Sequence, residues 1–190
     1  VLDANALIAQ IGHVALMTPS DDLKPLEVMD LLIANTADDE IVGILKQMRL
    51  GLESEVGSLR MAKRLGWSRG LPNQAIPIAT MAVYTWLRHH HSFSGAVQHA
   101  LRLGGQTSCL AALVGGLAAI HLSTDSIPET WKQRLIQWPY NRRWFDRLTT
   151  RLTDWPHGSE DLHSAPAMRI KPLRFFIRSV VLNTAFTLQR

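Results

Sequence analysis

Apolar residues recur at three- and four-residue intervals along most of the chain, and breaks rich in proline, glycine or small polar residues divide them into helical segments. The first helix is expected from Ala4 to Leu16, with Leu7, Ile11 and Val14 on one face beside Ile8 and Ala15. Thr18-Pro19-Ser20-Asp21 breaks it. A second runs from Leu23 to Ala34, with Pro25 tolerated in the first turn, where an amide hydrogen has no helical partner to lose. A third runs from Asp38 to Leu50, and its acidic opening Asp38-Asp39-Glu40 faces the positive end of the helix dipole. Gly51 to Leu65 reads as a fourth helix, weakened by Gly57. Gly66 to Asn73, GWSRGLPN, is a loop, and the apolar run Ala75 to Leu87 after it reads as a buried helix with Pro77 in its opening turn.

The chain is organised around Ala96 to Ile120, AVQHALRLGGQTSCLAALVGGLAAI. One helix ends at Gly104-Gly105, a polar knot Gln106-Thr107-Ser108-Cys109 follows, and a helix of small and aliphatic residues starts at once. Because Cys109 to Ile120 is apolar all round, it is expected to be the most buried helix, with Gly115 and Gly116 letting a neighbour come close. The knot then lies at a helix N-terminus, whose unpaired amides suit anions or oxygen-rich ligands. Spacing alone favours a plain joint, with Gly104 just past the first helix and Gln106 or Thr107 capping the second. Ile127-Pro128-Glu129 begins a helix reaching Ile136, and Trp138-Pro139 ends it. Asn141 to Leu152 carries Trp144, Leu148 and Leu152 on one face and Arg143, Arg147 and Arg151 on another. No strand pattern is found, so the class is all-α.

Residues 1–153 are expected to form one helical domain, 154–171 a polar linker, and 172–190 a basic amphipathic tail helix. The apolar run from Pro172 to Gln189 is interrupted by Arg174, Arg178 and Asn183, short of the roughly 20 residues a membrane span needs. It is expected to dock on the body or on an acidic surface.

With 190 residues, 46% of them hydrophobic, the chain can bury one good core. Its net charge of +4 is uneven. Residues 1–130 hold 9 Lys/Arg against 12 Asp/Glu, giving −3, and 131–190 hold 11 against 4, giving +7. The basic third is a solvated face or a contact for an acidic partner, and no recognised nucleic-acid motif accompanies it. A single cysteine, Cys109, excludes an internal disulfide and fits a reducing compartment. Val1 to Leu16 does not read as a secretory leader, since Asp3, Asn5, Gln10 and His13 interrupt it, so a cytoplasmic location is expected. His89-His90-His91 point in different directions around a helix and are poorly placed to share one metal; they read as positive side chains favoured at a helix C-terminus.

Several runs together resemble the ADP-ribosylglycohydrolase family, the all-α proteins related to dinitrogenase-reductase-activating glycohydrolase. The family's second signature is Gly-Gly-Asp-Thr-Asp-Thr, then an Ala/Gly-rich helix, then Ile-Pro-x-x-Trp. Here Gly104-Gly105-Gln106-Thr107-Ser108-Cys109 precedes AALVGGLAAI and Ile127-Pro128-Glu129-Thr130-Trp131. Leu71-Pro72-Asn73-Gln74-Ala75 and Phe93-Ser94-Gly95-Ala96-Val97 resemble two further family segments. The likeness is strong over 66–136 and weak over 1–65, and it implies a multi-helix orthogonal bundle lacking the family's N-terminal part.

The resemblance also implies two Mg²⁺ ions, held by an N-terminal Thr-Asp-Asp cluster and by the second signature, which activate water to cleave ADP-ribose from a protein side chain. Hard cations need anionic oxygen ligands. At the positions equivalent to the metal ligands this chain carries Gln106, Ser108 and Cys109, with Gly104, Gly105 and Thr107 left as candidates to line a substrate loop. Weak or absent Mg²⁺ binding is therefore expected. Thr36-Ala37-Asp38-Asp39 imitates the N-terminal cluster, and first-turn capping accounts for its acids. Two readings follow. One is a hydrolase for ADP-ribose on a modified protein, impaired or forming the C-terminal part of a longer enzyme; the other is a non-catalytic binding or interaction module, or a decayed reading frame. The catalytic residues and the modified residue it would act on are unassigned.

Overall fold

The computed structural model describes residues 2–134 and 142–154, together with Phe176 and Ser179. The named elements among them are helices, and there is no named strand. The linker and tail expected after residue 153 lie, apart from those two positions, outside the described residues. The chain separates into two compact units, Val1–Pro128 and Glu129–Arg190.

In the first unit, α1 (Leu2–Met17), α2 (Pro25–Asn35), α3 (Asp39–Glu53), α4 (Ser58–Arg64), α5 (Ala75–Arg88), α6 (Phe93–Arg102) and α7 (Thr107–Leu122) follow in order, with a short 3₁₀ turn at Thr124–Ser126. The boundaries have local causes. Asp38 caps α3 by accepting from the Ile41 amide at 2.9 Å, as the acidic opening predicts. Ser92 caps α6 through the Gly95 amide. Gly104 follows the C-cap Leu103 of α6 with φ of +72°, the left-handed turn that commonly ends a helix.

A fourth helix from Gly51 to Leu65 is not what forms. Gly51 belongs to α3, the chain turns at Ser54–Gly57, and α4 begins only at Ser58. Gly51 is required by packing: a Cβ there would sit 2.9 Å from both Met61 Sδ and Tyr84 Oη. Glu55 takes the turn with φ of +53°, and Arg88 of α5 donates to its carbonyl oxygen at 3.2 Å. Tyr84 secures the same turn by donating to the Val56 carbonyl at 2.5 Å, and burial pushes its own pKa up to about 12. Tyr84→Phe leaves that buried carbonyl without its donor. A loss of about 1–2 kcal/mol is expected, seen as a melting temperature lower by several degrees.

The most buried helix is α5 and not α7, which corrects the expectation for Cys109 to Ile120. Every residue from Ala79 to Leu87 is buried, including Tyr84 and Trp86, and α1, α3, α4, α6 and α7 all pack on α5. In α7 the buried residues are Leu110, Val114, Leu117, Ala118 and His121, while Ser108, Ala112, Gly116 and Ile120, spaced four apart, share an exposed face. Alanine and glycine gain little by leaving water, so the enclosed position goes to the helix with the larger apolar side chains. Gly115 lies against α6, near Val97 and Phe93, at distances an alanine methyl would also tolerate; Gly116 faces open space. None of the described helices is long and apolar enough to cross a membrane.

In the second unit, α8 (Glu129–Arg134) begins directly after Pro128, and α9 (Arg142–Asp154) follows. In α9, Trp144 meets Phe145 edge-on, Trp144 and Leu148 are half-buried and Leu152 is exposed.

Candidate functional site

The glycine pair and the GWSRGLPN loop are one structure. The Leu71 amide donates to the Gly104 carbonyl at 3.0 Å, and the Gln106 amide donates to the Leu71 carbonyl at 3.2 Å. These two bonds form an isolated parallel bridge between Leu71 and Gly105. Backbones this close leave no room for side chains. A Cβ on Gly70 would lie 2.7 Å from the Gly105 nitrogen, and one on Gly105 would run into the Leu71 carbonyl oxygen and amide nitrogen. Both glycines hold positive φ, +107° and +70°.

Past the bridge the chain turns sharply into α7. Gln106, with φ of −77° and ψ of 54°, is the centre of an inverse γ-turn closed by the Thr107 amide on the Gly105 carbonyl at 2.8 Å. Gln106 therefore sits at the N-cap, as one of the two positions predicted, but its side chain makes no capping bond. Gln106 and Thr107 are half-buried, and Ser108 and Cys109 are exposed, the cysteine as a free thiol. Gly104 through Cys109 thus stand together on the first turn of α7 and the joint before it.

Whether this joint suits a divalent cation depends on its donors. It offers an amide, two hydroxyls and a thiol, and no carboxylate. Among the described residues no three His, Cys, Asp or Glu side chains converge as a metal-binding group. Asp38 is spent on capping α3. A Mg²⁺ site of the carboxylate type does not fit these residues.

The backbone pairing of Leu71 with Gly105 has no signal in the sequence beyond the glycines themselves. The histidines behave otherwise than expected. His89 ends α5, but burial first, then His99, Arg88 and His90, hold its pKa down at about 4, so it is neutral at physiological pH. His90 is buried and its pKa is lowered for the same leading reason. Desolvation outweighs the attraction of the helix C-terminus for positive charge.

The described residues of this unit are all-α, with the glycine-led joint opening a helix of small and aliphatic residues. Residues 2–161 match the family model described as ADP-ribosylglycohydrolase, and the chain belongs to that family. Neither the curated proteins nor the solved structures gave a match. The family is generally metal-dependent and suggests ADP-ribosylated substrates.

Proposed function

We propose that this chain is a family member that has lost Mg²⁺-dependent hydrolysis of ADP-ribosylated substrates and keeps the fold as a binding or interaction module. The observation that carries this reading is the composition of the joint. Its shape is held by main-chain bonds through Leu71, Gly104 and Gly105, while Gln106, Ser108 and Cys109 occupy the positions that resemble the family's metal ligands. The joint is ordered by these main-chain bonds and offers none of the carboxylates that Mg²⁺-dependent chemistry needs. Gly104, Gly105 and Thr107 are the residues through which the joint would meet ADP-ribose or an ADP-ribosylated protein. The +7 balance of residues 131–190 supports an acidic partner for the basic region, and the single cysteine fits a cytoplasmic protein.

The test is release of ADP-ribose from a protein ADP-ribosylated on a defined residue, with and without Mg²⁺. No release above the uncatalysed background is expected in either condition. Mg²⁺-stimulated turnover by the unaltered chain contradicts the reading.

A further inference from the structure

Five histidines gather where α5, α6 and α7 meet, none of them part of the Gly104–Cys109 joint. His89 of the α5 C-terminus stacks on His99 of α6 with ring centroids 3.8 Å apart and planes inclined by 26°. His90 lies 3.6 Å from His91 and 6.3 Å from His121 of α7, which meets Trp86 edge-on at 5.4 Å. Backbone carbonyls hold three of the rings: His90 Nδ1 is bonded to Leu87 at 2.8 Å, His99 Nδ1 to Gly95 at 3.1 Å, and His121 Nδ1 to Ala15 of α1 at 3.4 Å. His89 Nε2 is buried with no hydrogen-bond partner among the described residues.

We propose that the His89–His99 stack is a proton-operated clasp, which holds α6 against α5 at neutral pH and releases it in mild acid. A proton on His89 would place a cation against a second imidazole in a half-buried setting. It is faced by Arg88 at the end of α5, by His90 in the turn that follows, and by His99 of α6; His91 and His121 act on His90 in turn. Each opposes the added charge. Glu55, on the turn after α3, approaches Arg88 at 3.9 Å, and its carboxylate is largely exposed. Since α6 runs directly into Gly104-Gly105, loosening α6 also loosens the joint before α7.

The sign of the effect follows from the lowered pKa. An opened histidine takes its proton near the ordinary 6.5, the closed one only near 4. The clasp is therefore at full strength above about pH 6.5 and weakens as pH falls through the interval toward 4.

The experiment is amide hydrogen exchange on the intact chain at pH 7 and pH 5, corrected for the intrinsic pH dependence of exchange. Opening of the Ala96–Leu103 amides is expected to rise roughly tenfold at pH 5, with α3 unchanged, after allowing for the partial exposure of His89. His89→Phe keeps a ring that cannot take a proton, and is expected to abolish the difference. Equal α6 protection at both pH values, equal loosening of α3, or a persisting difference in folded His89→Phe each overturns the clasp. Should His89→Phe fail to fold, the comparison within the unaltered chain decides.

Discussion

Gly105→Ala is expected to cost about 3 kcal/mol of stability. The left-handed backbone alone accounts for about 1 kcal/mol of that, because an L-residue Cβ crowds its own carbonyl at positive φ. The rest comes from the neighbour. The new methyl falls on the Leu71 carbonyl and amide, so the two backbone segments must part and give up the bonds from Leu71 to Gly104 and from Gln106 to Leu71. Two such bonds contribute about 1 kcal/mol each. Gly66→Ala is the control, since Gly66 has φ of +87° and a methyl there would meet nothing within 4 Å. It is expected to cost only about 1 kcal/mol. Urea denaturation of the two variants beside the unaltered protein separates the terms. Equal losses in the two would show that the Leu71–Gly105 pairing contributes nothing.

The combined change Gln106→Asp, Ser108→Asp and Cys109→Thr is expected to raise Mg²⁺ affinity about a thousandfold over the unaltered chain. Each carboxylate brought to the cation contributes on the order of 2 kcal/mol after dehydration is set against attraction, and two are added. Both lie at the start of α7, where the amide-rich end of the helix also favours negative side chains, so folding does not oppose them. Hydrolysis is not expected to return, because among the described residues no group of three His, Cys, Asp or Glu side chains is gathered to hold a second metal ion. An unchanged titration would mean that the joint is not shaped around a cation at all, and the positional equivalence drawn from the resemblance would fail.

The sequence made most of the helical framework legible because its signals are local. Asp38 announces a cap, Pro25 a first turn and Gly104 a helix end, and each does that in the structure. What failed were judgements that depend on distant partners. Gly51 looked like a helix start, yet its role is to admit Tyr84 and Met61, which only packing brings near. The small-residue run of α7 looked like the centre of the core, but the larger side chains of α5 took that place. His89 looked like a helix-end cation, and the ring of His99, supplied by another helix, helps to keep it neutral. The candidate joint was legible as a glycine-led helix start. Its bridge to Leu71 was not, since a backbone pairing between loops far apart in sequence leaves no periodic trace.

The claim that the joint has kept its shape and lost its metal is tested most directly by calorimetric titration of the unaltered chain with Mg²⁺ at neutral pH and moderate salt. No saturable heat is expected at millimolar Mg²⁺, because Gln106, Ser108 and Cys109 supply no anionic oxygen to offset dehydration of the ion. Saturable binding with a micromolar dissociation constant, abolished by Gln106→Ala, would contradict it.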